Sequence, residues 1–301
     1  MVQLEYTVVD VFTDRALAGN PLAVVVDTAG LSMERMQAIA REFNLSETTF
    51  IQRRAVEVER TEGVRVRIFT TQEELPFAGH PTLGTASVLR MIAPETLCDD
   101  TVHLALNVGS VPVRFSQDGA APDLLFGEMT QRDPEFGPEL DRRDVARLTG
   151  VALEELDPLH APQVVSTGTA FAIVLLNGAR GLSRLNVNHD EATPYLRSMG
   201  GRWFYVLAPD QESAGIPSFR ARMQFYGGED PATGSAAGCA ISFLVAHGIV
   251  PGGKRIHLRQ GIEMGRPSDL FLCARREDAR VTDVRVAGST VLVAKGKILL
   301  P

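Results

Sequence analysis

Cysteine is scarce in this chain: three residues in 301, Cys98, Cys239 and Cys273. An odd, widely spaced set argues against a disulfide framework, and no C-x-x-C or Cys/His spacing suggests a zinc site. Basic surplus is also missing. The net charge is −7, so no cationic face is expected for phosphate backbones or anionic lipid, and neither a nucleic acid nor a membrane is expected as partner. No apolar run approaches the length that spans a bilayer. The first residues enter an alternating pattern, LEYTVVDVF, with no basic leader segment, so a cytoplasmic location is expected.

What the chain does carry is a hydrophobic fraction of 45% with 22% charged residues, enough for a real core in one large or two ordinary domains. Residues 4–12 and 21–27 read as strands joined by the AGNP turn, and residues 32–43 as a helix capped by Ser32. Residues 64–68, 101–106, 111–115, 163–177, 203–208 and 218–226 read as further strands. The stretch 116–140, rich in Asp, Gly, Pro and Glu, reads as a domain crossing. This places an N-terminal domain at 1–116 plus 288–301 and a C-terminal domain at 117–287.

The densest stretch is GGEDPATGSAAGCA at 227–240. Thr233, Gly234 and Ser235 open an apolar run and read as a helix start. Gly234 allows close backbone approach, and unpaired N–H groups at a helix start hold anions, a carboxylate included. Asp230 stands just before it. An acid facing an anion-holding turn suits an amino acid, with one cationic and one anionic end. The segment lacks the Lys and spacing of a nucleotide-binding loop.

The stretch has a twin. Moving the sequence by 155 residues lays 64–89 on 219–244 without a gap. Seven of those 26 positions are identical, among them Arg65/Arg220, Arg67/Arg222, Glu74/Glu229, Pro76/Pro231 and Gly79/Gly234, which exceeds chance. A shift of 149 lays GNPLAVVV on GTAFAIVL. Both repeated helices, TASVLRMI and AAGCAISFLVA, are apolar nearly all round and therefore buried on every side. The expected fold is α+β: two pseudo-symmetric domains, each a sheet wrapped around its own apolar helix, with both helix starts turned to the cleft between them.

Five motifs in order, FTDRALAGNPLAVV, NLSETTFI, FAGHPTLG, EDPATGSA and QGIEMGRPS, resemble the phenazine-biosynthesis PhzF-like proteins from about residue 5 to the end. The resemblance implies the diaminopimelate epimerase-like fold, a homodimer, no cofactor or metal, and isomerisation of a small amino acid such as trans-2,3-dihydro-3-hydroxyanthranilate. It implies Glu47 of SETTF as the acid/base, with His80 and Asp230 beside it, and Ser235, Gly79 and Gly234 as substrate-binding positions. Related epimerases carry a cysteine in each half; here the turns carry Gly79 and Gly234.

One carboxylate suffices to lift a proton from one carbon and return it to another on the same face, and a dry pocket brings its pKa toward working pH. Epimerisation needs groups on both faces. A shift of 154 puts Gly201 opposite Glu47, so the second half offers no matching acid. A racemase with a non-cysteine base, and a ligand-binding protein without catalysis, stand as the alternatives. The blander readings are a helix-end carboxylate for Glu47, a turn-satisfying ring for His80, and caps for Asp230 and Ser235. Arg65, Arg67, Arg220 and Arg222 read as solvated strand faces, and Cys239 as a small hydrophobe in its helix.

Overall fold

Two helices without a polar stripe anchor the molecule, and the strands are arranged around them. The computed structural model describes residues 2–94, 100–116, 124–210, 215–225 and 228–300. Cys98, Gly227 and the predicted crossing point at 117 lie outside them. The chain divides into one unit of Met1–Thr130 with Ala287–Pro301 and another of Gln131–Val286.

The first unit contains β1 (Val2–Val11), β2 (Asn20–Val25), β3 (Glu47–Gln52), β4 (Val64–Phe69), β5 (Glu74–Leu75), β6 (Thr101–Leu106), β7 (Gly109–Phe115) and β8 (Leu124–Thr130). Its helices are α1 (Met33–Phe43), α2 (Val56–Glu62) and α3 (Gly79–Ile92). The second unit contains β9 (Glu135–Glu139), β10 (Gln163–Ser166), β11 (Ala170–Leu175), β12 (Trp203–Asp210), β13 (Ser218–Arg222), β14 (Gln224–Phe225), β15 (Gly228–Glu229), β16 (Ile256–Gln260) and β17 (Ser268–Glu277). Its helices are α4 (Arg142–Thr149), α5 (His189–Ser198) and α6 (Gly234–Ala246). A long last strand, β18 (Arg280–Leu300), starts in the second unit and returns to the first, where it pairs antiparallel with β1.

The repeat seen in sequence is a repeat of topology. The order β1-β2-β3-β4-β6-β7 alternates antiparallel, parallel, antiparallel, parallel, antiparallel. The order β10-β11-β12-β13-β16-β17 does the same. In each unit the apolar helix packs into its own sheet: α3 on β1, β2, β3, β6, β7 and β8, α6 on β10, β11, β12 and β17. Gly79 through Leu89 of α3 and Gly234 through Val245 of α6 are all buried. Ser87 and Ser242, a matched pair, each return their hydroxyl to the carbonyl four residues back, at 2.9 and 2.7 Å. A hydroxyl sealed inside a sheet has no water to bond, so this local bond satisfies it.

The outer faces of the sheets are covered too. Met36, Ile39 and Ala40 of α1 pack with Val25, Phe50 and Phe69. Val145 and Leu148 of α4 and Ala192 and Leu196 of α5 pack with Ala172, Val174, Phe204 and Val206. Strands buried on both faces read as unbroken apolar runs, which explains PLAVVV and FAIVLL. Each fully buried Leu, Ile or Phe here contributes about 1.5–3 kcal/mol relative to exposure.

Two sequence expectations change. The stretch 116–140 is not a bare crossing: it holds β8, paired with β7, and β9, paired with β10. The four arginines do not line solvated faces. Arg67 grips Glu74 through Nε and Nη2 at 2.8 and 2.6 Å, and Arg222 grips Glu229 with the same atoms at the same distances. Arg220 bonds Glu263, and Arg65 bonds the Ala105 carbonyl. The repeated identities are thus two copies of one half-buried bidentate clamp, holding each strand to the loop that leads into its central helix.

Candidate functional site

Glu47 is the first residue of β3, reached from α1 through Asn44 in the left-handed conformation. The parallel pairing of Leu22 with Glu47 fixes its place next to β2. His80 is the second residue of α3, and Asn20 opens β2. The three meet. Asn20 Nδ2 lies 3.1 Å from His80 Nδ1, and His80 Nε2 lies 3.4 Å from Glu47 Oε2. An amide nitrogen only donates, so Nδ1 accepts and the neutral ring carries its proton on Nε2, toward Glu47.

Burial pushes the His80 ring down to about 3. The carboxylate 3.4 Å away favours the imidazolium, but the ring is enclosed and Nδ1 is already committed as an acceptor, so the neutral form wins. The AGNP turn sets this up. Gly19 has φ +63°, and a Cβ there would sit 2.4 Å from the Val11 carbonyl, so only glycine delivers Asn20 to this place. Sequence reading makes Asn20 a turn residue; the signal it carries is a polar amide opening an otherwise apolar strand.

The neutral ring has a consequence for stability. Unfolded histidine binds a proton near pH 6.5, while native His80 does so only near 3. Below pH 6.5 the unfolded chain therefore holds more protons, and stability falls as pH drops through that window. His80→Gln keeps a polar amide and removes the titration. Urea unfolding at pH 7 and pH 4 is expected to show a loss on acidification smaller by a few kcal/mol, about 1.4 kcal/mol for each pH unit crossed below the unfolded midpoint.

In the second unit, Asp230, Thr233, Gly234 and Ser235 sit together at the start of α6, all buried. Thr233 Oγ1 donates to Asp230 Oδ2 at 2.6 Å. Neither α3 nor α6 has a side chain capping its first turn. Gly79 and Gly234 are the first residues of their helices, as the sequence indicates.

Sheet register corrects one point. Leu22 pairs with Glu47 and Phe171 pairs with Trp203, and Leu22 and Phe171 are equivalents under the 149-residue shift. The counterpart of Glu47 is therefore Trp203, not Gly201. A single shift fails because the segment from β11 to β12 is seven residues longer than its twin from β2 to β3, 32 residues from Phe171 to Trp203 against 25 from Leu22 to Glu47. Trp203 stacks under the Arg202 guanidinium, 4.2 Å from ring centre, and meets Phe171 and Phe225. Asn20, Glu47 and His80 in one unit thus correspond to Thr169, Trp203 and Ser235 in the other.

Elsewhere the chemistry is quiet. Among the described residues no three His, Cys, Asp or Glu side chains gather to hold a metal, and no helix is long and apolar enough to cross a membrane. Cys239 is buried in α6, its thiol pushed up to about 11 by burial. A groove of about 500 Å³ lined by Glu5, Tyr6, Arg53, Lys295 and Lys297 includes none of the residues above.

A buried helix wrapped by a sheet, built twice with one strand order, is an α+β architecture shared with solved epimerase and racemase structures. The chain belongs to the PhzC-PhzF family of phenazine biosynthesis-like proteins, whose model matches residues 9–296. It is 36% identical to the trans-2,3-dihydro-3-hydroxyanthranilate isomerase of Pseudomonas aeruginosa over 98% of this chain and 99% of that protein. The solved structure of a predicted epimerase from Pseudomonas aeruginosa is 33% identical and superposes with a TM-score of 0.82 over 99% of this chain and 100% of that one. A probable proline racemase from Agrobacterium radiobacter shares the fold alone, at 10% identity and a TM-score of 0.64, covering 99% of this chain and 93% of that one. The protein is an isomerase of the PhzF type.

Proposed function

We propose that this isomerase moves a proton between two carbons of a small cyclic or unsaturated amino acid, with trans-2,3-dihydro-3-hydroxyanthranilate as the first candidate substrate. Glu47 is the single acid/base. The observation that carries this reading is the asymmetry of the repeat: a carboxylate beside a neutral imidazole N–H in one unit, and Trp203, which has no exchangeable acid, at the equivalent place in the other. A carbon–hydrogen bond breaks onto the Glu47 carboxylate, and the electron pair shifts the double bond along the allylic system. Glu47 then delivers a proton two carbons away, from a carboxyl group that exchanges its proton with solvent between the two transfers. Protons balance without a cofactor, and both transfers use one face.

His80 holds its Nε2–H toward Glu47 and directs the carboxylate. Asp230 takes the substrate's ammonium group, and the first turn of α6 at Gly234 and Ser235 takes its carboxylate, with Gly79 at the matching turn of α3. The resemblance adds a homodimer acting in the cytoplasm; sedimentation velocity checks the dimer. Racemisation is the second reading, favoured by the fold shared with the proline racemase. It lacks a second acid where Trp203 stands.

Turnover in deuterated water separates the readings. The expected product carries label at one carbon with the face retained. Label with inversion at the α-carbon would support the racemase, and binding without any exchange would support a non-catalytic binder.

A further inference from the structure

The starts of α3 and α6 are topological twins, yet α6 rests on a buried polar chain that α3 lacks. Gln260 Nε2 donates to the Asp230 carbonyl at 2.8 Å and to Thr233 Oγ1 at 3.0 Å. Its Oε1 accepts from the Thr233 backbone N–H at 3.1 Å and from the Tyr205 hydroxyl at 2.8 Å. The backbone partners fix the amide's orientation, because a carbonyl only accepts and an N–H only donates. Thr233 Oγ1 is therefore an acceptor toward Gln260, and its one proton goes to Asp230 Oδ2, at 2.6 Å. The direction of every bond follows: Tyr205 to Gln260, Gln260 to Thr233, Thr233 to Asp230.

Thr233 occupies the N-cap position of α6 but makes no side-chain cap bond. Its hydroxyl is diverted to Asp230. The twin positions in the first unit, by shift and sheet register, are Leu75 for Asp230, Ala78 for Thr233, Leu106 for Gln260 and Thr49 for Tyr205. There α3 starts on Ala78 and is sheathed in the same way, so the fold does not require the polar chain. Buried polar groups cost stability unless fully bonded, and a set found in one copy only points to a task.

We propose that Tyr205, Gln260 and Thr233 are positioning residues that hold Asp230 as an oriented carboxylate for the substrate. The inference rests on the role proposed above for Asp230. A donor on Oδ2 favours the charged form and fixes the direction in which the carboxylate points. The other titratable groups near it are accounted for. Burial, and secondly the Asp230 charge, hold the Tyr205 phenol well above its usual range. Cys239 lies up at about 11. Glu229 is bound to Arg222, and Glu263 to Arg220.

The test follows the Asp230 carboxyl carbon by NMR in protein labelled at aspartate, with pH profiles of trans-2,3-dihydro-3-hydroxyanthranilate turnover beside it. Thr233→Val should raise the Asp230 midpoint by about one pH unit. The acid limb of kcat/KM should move with it, a loss of about tenfold at pH values on that limb. Thr233→Ser should restore both. Tyr205→Phe, two bonds away and conservative in shape, should shift the midpoint in the same direction by less. An unchanged midpoint in Thr233→Val and Tyr205→Phe alike overturns the inference. The role of Asp230 fails separately, if Asp230→Asn turns over the same substrate with native KM, and the Asp230 titration in the native chain is informative either way.

Discussion

Glu47→Gln is expected to stop carbon–hydrogen exchange while substrate still binds. Removing a positioned acid/base ordinarily lowers the rate by about 10²–10⁴-fold, and a residue that both takes and returns the proton should sit at the upper end. The substitution is nearly isosteric. The introduced amide keeps an oxygen on the side of His80 Nε2, 3.4 Å from the native carboxylate, and leaves the Asn20 contact to His80 Nδ1 in place, so the ring keeps its tautomer. An amide nitrogen cannot return a proton to carbon. The expected pattern is therefore a collapse in kcat with KM moved by less than about threefold, the signature of an interaction used in the chemical step. Glu47→Asp tests reach: it retains the acid but withdraws it by one methylene, and an intermediate rate is expected. Exchange at above about a tenth of the native rate in Glu47→Gln would falsify the one-carboxylate mechanism.

Much of this arrangement is legible in the chain, and the rest fails for identifiable reasons. The paired apolar helices announce themselves because a helix without a polar face has only one place to go. The matched arginines are visible as identities, but their role is not. Alternation of Arg with Val looks like a half-exposed strand, and the partner Glu lies seven residues on, beyond a turn that sequence does not fold. Glu47 and His80 lie far apart along the chain and meet only because β3 and the start of α3 share one end of a sheet. Two helices escape notice: α2, whose VEVER alternates like a strand, and α5, which carries Pro194 inside it. Counting along the chain matches Gly201 to Glu47. The sheet counts differently, because loops absorb insertions and hydrogen-bond register does not. That difference of two residues changes the functional statement from an empty position to an occupied one, Trp203.

Gly261→Ala is expected to destabilise the second unit and to cost activity. Gly261 opens the QGIEMGRPS loop at φ +74°, where a side chain is already strained. A Cβ would also lie 2.3 Å from the Arg266 carbonyl and 2.6 Å from the Pro231 carbonyl. Both are backbone atoms, so no rotamer change relieves the contact. The first belongs to a loop tied by Arg266 N–H to the Gly261 carbonyl at 3.0 Å. The second belongs to the turn between Asp230 and Thr233, held from the other side by Gln260. One methyl group therefore presses the loop and the turn apart. Backbone strain of this kind is worth about 1–3 kcal/mol, and the displaced hydrogen bonds add to it. Thermal unfolding should move down by on the order of 5–10 °C. At a temperature where the variant is still folded, kcat/KM should drop by roughly tenfold or more, since displacements of about 1 Å at a site can cost a hundredfold. Gly265→Ala separates the two causes. Gly265 has φ +69° but nothing within 4 Å of its Cβ position, so that variant carries the dihedral strain without the contact. It should lose about 1 kcal/mol and keep near-native kcat/KM. If the two variants behave alike, the loop does not hold the Asp230 turn in place. If only Gly261→Ala loses activity, the motif at 260–268 acts on the substrate through the 230–235 turn rather than by touching it.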